Sequence, residues 1–147
     1  MDILKYDIKM RLIEGKKHIY DILRKKYLVL TPEELVRQKF LMYLLEEKGY
    51  PKSLCKTESG MKLGELRKRT DILFYHSNGE PYLLVECKSF KTSLTQKAFD
   101  QLSSYNQTIK AKFIGITNGI SHHFCKVDYT GQKLIYLPEI PEYDADT

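Results

Sequence analysis

Two short apolar runs, Asp71-Ile-Leu-Phe-Tyr75 and Tyr82-Leu-Leu-Val-Glu86-Cys-Lys88, flank the tripeptide Ser77-Asn78-Gly79. Asn-Gly between strand-like runs is the strongest short-range hairpin signal a sequence offers. With Asn78 and Gly79 as the two central residues of a type I′ turn, Ser77 faces Glu80, Tyr75 faces Tyr82, and Asp71 falls opposite Glu86. Side chains alternate along a strand, so Lys88 projects on the Glu86 side. Leu73, Tyr75, Tyr82 and Leu84 share that side, while Ile72, Phe74, Leu83, Val85 and Cys87 take the other. Apolar residues on both faces predict central strands covered by helices, an α/β (α+β) arrangement. Pro81 fits because it stands at the strand start, beside the turn.

The same register gathers two carboxylates and an ammonium at the open end of the hairpin. Directly opposed residues have Cβ atoms about 4.5–5.5 Å apart, where like charges destabilise. The repulsion at 4 Å is roughly 4 kcal/mol for an effective dielectric near 20. A divalent cation relieves it, and oxygen-only ligation suits Mg²⁺, with Mn²⁺ as a substitute. Lys88 beside such an ion is suited to orienting a water and offsetting phosphate charge. The alternative is an exposed hairpin end where Lys88 merely neutralises two acids.

At 147 residues the chain has the length of one domain, with 1–30 as a lead-in, 31–137 as the core and 138–147 as an acidic, Pro-containing tail expected to fray. A net charge of +5 mildly favours an anionic partner. Cys55, Cys87 and Cys125 have no metal-ligand spacing and cannot all pair, which suits a reducing cytosol. No signal peptide or membrane-spanning run is evident, so the expectation is a soluble, cytoplasmic protein that does not engage a membrane.

Residues 1–30 alternate apolar stretches with basic ones, and the Glu14-Gly15 step suggests a hairpin. Arg24-Lys25-Lys26 reads as a solvated face. Thr31-Pro32-Glu33-Glu34 opens a helix to about Lys48: Thr31 as N-cap, Pro32 at the first position, Glu34 completing a capping box. Val36, Phe40, Tyr43 and Leu44 mark its buried stripe, and at 100° per residue Glu33 projects near the middle of it. Glu33 is therefore a candidate third metal ligand, whereas Glu34 already has a local capping role; both also complement the helix dipole. A strand is expected near 54–58, beside the hairpin.

Arg67, Lys68 and Arg69 lead directly into Asp71 and suit a phosphodiester backbone, though they would equally soften the acids' repulsion. A second helix over 94–109 carries Gln101 and Tyr105 four residues apart on one face, near the stripe formed by Leu94, Ala98 and Leu102. A strand at 112–117 follows, parallel to the 82–88 strand through a helical crossover. A hairpin over 123–137 closes the domain, with His122 and His123 read as edge-strand residues.

Five stretches in this order carry a family resemblance: 30–38 (Leu30-Thr-Pro-Glu-Glu-Leu-Val-Arg-Gln38), Arg69-Thr-Asp-Ile72, Leu84-Val-Glu-Cys-Lys-Ser89, Phe99-Asp-Gln-Leu102 with Tyr105, and Thr117-Asn-Gly119. They resemble the PD-(D/E)XK nuclease superfamily. More closely, they are similar to the N-terminal nuclease domain of type I restriction enzyme R (HsdR) subunits, in the variant found as a short stand-alone protein. The resemblance implies a mixed, restriction-endonuclease-like sheet with helices on both faces and Mg²⁺-dependent hydrolysis of DNA. It implies Asp71 and Glu86 as metal-binding acids, Lys88 as catalytic lysine, Gln101 and Tyr105 as the supporting Gln-x-x-x-Tyr element, and Glu33 or Glu34 as the helix acid. Thr70 stands where the superfamily's name has proline. No G-x-x-x-x-G-K-[ST] phosphate loop occurs, so no ATPase motor is expected in this chain.

Three readings stay open on sequence alone: a DNA-cleaving enzyme acting as a homodimer or with restriction-system partner proteins, a non-cleaving nucleic-acid-binding module of the same fold, and an interaction protein whose charged hairpin end pairs internally. DNA or RNA, strandedness and target sequence are not encoded legibly.

Overall fold

The computed structural model describes residues 2–56 and 71–146. Its elements run β1 (Met10–Ile13), β2 (Lys16–Asp21), β3 (Lys26–Val29), α1 (Pro32–Glu47), β4 (Cys55–Lys56), β5 (Ile72–Tyr75), β6 (Pro81–Cys87), α2 (Gln96–Ile109), β7 (Phe113–Thr117), β8 (His122–Asp128) and β9 (Lys133–Leu137). The first three strands form one antiparallel sheet, and the other six form a second in the order β4-β5-β6-β7-β8-β9. Within the second sheet β6 and β7 are parallel and every other pair is antiparallel. The mixed α/β class expected from the sequence is the one observed.

Period-two alternation explains the layers. On β5 and β6, Ile72, Phe74, Leu83, Val85 and Cys87 pack with Val36, Phe40, Leu41 and Leu44 of α1. Leu73 and Leu84 face the opposite way, into a cluster with Phe99 and Leu102 of α2 and with Ile114 and Ile116 of β7. Burial on both faces is what the two apolar runs demanded. Gly115, in the middle of β7, is required by close approach: a Cβ there would meet Phe124 Cδ1 at 2.3 Å.

The central hairpin keeps the expected register but not the expected turn. Ile72 pairs with Val85, Leu73 with Leu84 and Phe74 with Leu83, as the Asn-Gly reading required. The loop, however, closes with Gly79 N–H donating to His76 O at 2.9 Å and His76 N–H to Glu80 O at 2.7 Å. Ser77 and Asn78 are its central residues, and Gly79 supplies the left-handed step at φ 92°. That geometry pairs Tyr75 with Pro81, and a bulge at Tyr82 restores the original register. The bulge also turns Tyr82 to the α1 face, among Tyr50 and Phe74, rather than to the Leu84 side.

The lead-in is larger than a hairpin. Glu14 and Gly15, both at positive φ, make the type I′ turn between β1 and β2, and β3 adds a third strand. Arg24 is not part of a solvated face: its side chain is 7% exposed and bonded to Asp21. The end of the chain is not frayed either. Ile140 is fully buried, Tyr50 Oη donates to Pro141 O at 2.9 Å, and Tyr143 N–H donates to Lys48 O at 2.8 Å. Aromatic contacts of Tyr143 with Tyr50 and Tyr82 seal this corner, so an acidic composition concealed a packed segment.

Candidate active site

The C-terminal ends of parallel strands in α/β sheets leave crevices where ligands bind. Here β6 and β7 run in parallel, with Glu86 beside Ile116 and Cys87 beside Thr117. Backbone pairing continues one residue further, where Lys88 N–H donates to Thr117 O at 2.8 Å. Glu86 is fully buried on the strand, and Lys88 emerges at its end. Lys88 Nζ lies 2.8 Å from Glu86 Oε2, and its side chain retains 22% exposure. Asp71, 1% exposed, immediately precedes β5. Since Ile72 pairs with Val85, the next step of that register sets Asp71 against Glu86. The structure thus brings Asp71, Glu86 and Lys88 to one end of the hairpin.

The helix glutamate that faces inward is not the one expected. Glu34, not Glu33, is the buried one, at 1% exposure, whereas Glu33 is half-buried. The apolar stripe alone mislocated the inward face, because Arg37 and Gln38 are also buried and widen it on the polar side. Arg37 explains how Glu34 is tolerated there: its Nη1 lies 3.7 Å from Glu34 Oε2 and 3.4 Å from Asp21 Oδ2. Asp21 in turn takes Arg24 Nη1 at 2.5 Å. Thr31 Oγ1 accepts from Glu34 N–H at 3.1 Å, so the expected N-cap is present.

These acids act on one another's surroundings. Burial pushes the Cys87 thiol well above its ordinary range, and the carboxylates of Asp71 and Glu34 push it further the same way, against Arg37. Cys87 is a core residue, as expected, but two of the candidate acids lie within its electrostatic reach. Burial would raise Asp21 too, yet Arg37, the Leu23 and Arg24 amides and the Arg24 guanidinium outweigh it and hold the carboxyl below its ordinary 3.8.

The remaining candidates are more dispersed. Gln101 is exposed on α2, while Tyr105 is half-buried against the α2-side core. Arg67, Lys68 and Arg69 lie outside the described residues. Phe40 and Phe124 pack against the His122 ring, and its Nδ1 shares a 2.7 Å hydrogen bond with Thr117 Oγ1. β8 lies inside the sheet, though His122 and His123 extend past the pairing with β9, which starts at Phe124. Among the described residues, no three His, Cys, Asp or Glu side chains form a ready-made metal cluster.

Two participants escaped the sequence reading. Arg37 was invisible to a search for apolar periodicity. Asn118 was read only as a strand terminator, yet its Oδ1 accepts from Ile120 and Ser121 N–H, and its Nδ2 donates to Thr92 O at 2.7 Å. Asn118 therefore ties the loop after β7 to the loop after Lys88. Between them lies a cavity of about 280 Å³ lined by Phe90, Lys91, Ser93, Asn118 and His123. A larger cavity, about 520 Å³, sits elsewhere, between the end of α2 and the β8–β9 hairpin.

A mixed sheet between two helices, with buried acids and a lysine where its parallel strands end, defines an α/β domain. Residues 32–141 match the family described as type I restriction enzyme R protein N terminus (HSDR_N), and the chain belongs to that family. It is thereby a restriction-enzyme-related nuclease domain. No curated protein and no solved structure matches the chain. No helix among the described residues is long and apolar enough to cross a membrane.

Proposed function

We propose that this domain is a Mg²⁺-dependent deoxyribonuclease, with Mn²⁺ as a working substitute. The observation that carries the reading is the contact of Lys88 Nζ with Glu86 at 2.8 Å, one register step from buried Asp71. All-carboxylate ligation suits a hard cation, and Mg²⁺ is commonly held by one or two carboxylates with water completing its shell. Asp71 and Glu86 are the residues that would hold it, with Glu34 taking the part first assigned to Glu33. When bound, the ion supplies Lewis-acid activation of the scissile phosphate and of water.

The chain's own groups do the rest. Lys88, anchored by Glu86 and open to solvent, orients the attacking water and stabilises charge developing on the phosphate. Tyr105 buttresses the site from α2, exposed Gln101 is available to the substrate, and Arg67, Lys68 and Arg69 steer the phosphodiester backbone. DNA is the partner in this reading, the cytoplasm the compartment, and a homodimer or a restriction-system protein the means of cutting both strands.

The test is nicking of supercoiled plasmid with Mg²⁺ or Mn²⁺, comparing wild type with Asp71→Ala prepared identically. Metal-dependent nicking lost in the variant is expected; equal activity in both preparations would assign it to a contaminant and overturn the reading. One observation favours a second reading, an interaction protein whose charged hairpin end pairs internally. Lys88 already neutralises Glu86 directly, as a purely structural ion pair would. Nicking absent from both proteins, with no millimolar-range Mg²⁺ or Mn²⁺ binding by wild type, would select it.

A further inference from the structure

The first 31 residues, ahead of the family match, hold eight basic residues against four acidic ones, a net +4 of the chain's +5. One of those four acids, Asp21, and one of the eight cations, Arg24, are buried in a single ion pair that leaves the net +4 unchanged. The positive charge of this protein is therefore concentrated on the β1–β3 sheet.

That sheet has two unlike faces. Ile19, Asp21 and Leu28 point inward and are buried. Alternation sends Lys9, Arg11, His18, Tyr20 and Tyr27 outward, half-buried or exposed. Pairing arranges them in rows: the Tyr20 backbone N–H donates to Lys9 O at 2.9 Å and Tyr20 pairs with Tyr27, while Arg11 pairs with His18. Tyr20 and Tyr27 stand 5.2 Å apart, centroid to centroid, edge to face. The Arg11 guanidinium lies 4.7 Å from the Tyr27 ring centre, and Lys9 Nζ lies 5.7 Å from that of Tyr20.

We propose that this outer face is a second nucleic-acid site, a platform on which an unpaired strand stacks its bases on Tyr20 and Tyr27 while Lys9 and Arg11 take its phosphates. Aromatic rings interleaved with cations on an open sheet are what sequence-tolerant single-strand binding needs, because every base has a face to stack. A duplex hides those faces and could use only the cations. An acidic protein surface could use the charge but would leave the paired rings without a role. The platform lies on the face of the sheet opposite buried Asp21, and its test is independent of cleavage.

The chain contains no tryptophan, so Tyr20→Trp introduces a single reporter indole. Titrated with oligothymidylate in EDTA, its fluorescence is expected to be quenched as bases stack. Lys9→Glu combined with Arg11→Glu, both at exposed positions, is expected to weaken binding at least about tenfold while circular dichroism stays unchanged. Arg11→Ala alone should reduce the slope of log affinity against log salt by about 0.7, the value of one single-strand phosphate contact. The signal is read at Tyr20 in EDTA, where no metal-dependent cleavage takes place, which keeps failure here distinct from failure of the nuclease reading. Absence of quenching, equal affinity for a duplex or for polyglutamate, or indifference to the double charge reversal would each overturn the proposal.

Discussion

The protein buries charge in two places, and the two solve the same problem differently. Asp21, Arg24, Glu34 and Arg37 form a closed set between the N-terminal sheet and α1, with cation side chains only 7% and 1% exposed. At the end of β6, Glu86 is equally deep, but its cation, Lys88, keeps 22% exposure and opens toward solvent. Arg offers several fixed donors and serves two carboxylates at once, as Arg37 does; Lys is a mobile point charge on a flexible stem. The first set is built as a fastener, the second as a place where something else can enter. Glu34 connects them, paired with Arg37 while contributing, with Asp71, to the field at Cys87.

Breaking the closed set should have the largest effect on stability. Arg37→Ala strips a buried guanidinium from Asp21 and Glu34, and removing one partner of a buried pair costs about 3–5 kcal/mol. Urea denaturation should report that loss, and Arg37→Met with Glu34→Gln should recover part of it by removing the stranded charge. A cost near zero for Arg37→Ala would mean the set is not a fastener.

Lys88→Ala should separate the two places most cleanly. Its partner Glu86 is buried but the lysine is partly hydrated, so the stability cost should be smaller, about 1–2 kcal/mol. Plasmid nicking should nevertheless disappear while Mn²⁺ binding, read by calorimetry, is largely retained. Simultaneous loss of metal binding would sink the division of roles between the acids and the lysine.

How much of this was legible depended on range. The hairpin register was readable because alternation and an Asn-Gly turn are local; even so, the loop came out differently and the bulge at Tyr82 compensated by one residue. α1 was readable from its cap and apolar stripe, but Glu34 and Arg37 go inward only because Asp21, from a strand far back in sequence, receives Arg37. Periodicity counts apolar residues, so a buried polar flank looks like a solvated one. The segment after Pro138 misled for the same reason, since Ile140 and Tyr143 find partners in Tyr50, Tyr82 and Lys48 that no window could include. Asp71, Glu86 and Lys88 were found because their chemistry and their register sit in one hairpin.

Acid should act on the closed set before any mutation does. The Asp21 carboxyl is held below its ordinary 3.8, so the folded state binds that proton less readily than the unfolded chain. Its stabilising contribution is complete above about pH 4 and is lost as pH falls through the lower folded value. Asp21→Asn should therefore be less stable than wild type at neutral pH, with the gap closing in strong acid. A gap that stays constant from pH 7 to pH 2 would show that Asp21 acts through packing rather than charge.

The smallest effect belongs to His122, and it occupies a different window. Burial, with His123 beside it, lowers its pKa from 6.5 to about 4. The unfolded chain takes up that proton first, so stability should decline as pH falls from 6.5 toward 4 and level off below. The ring is partly solvated, so the decline should be a modest slope in melting temperature. His122→Phe, which keeps an aromatic ring beside Phe40 and Phe124, should remove that slope and leave the Asp21 step below pH 4 untouched. Two acid limbs that vanish separately would assign one to the ring near the end of β7 and the other to the fastener behind α1; a single limb lost with either variant would mean the two regions unfold as one electrostatic unit.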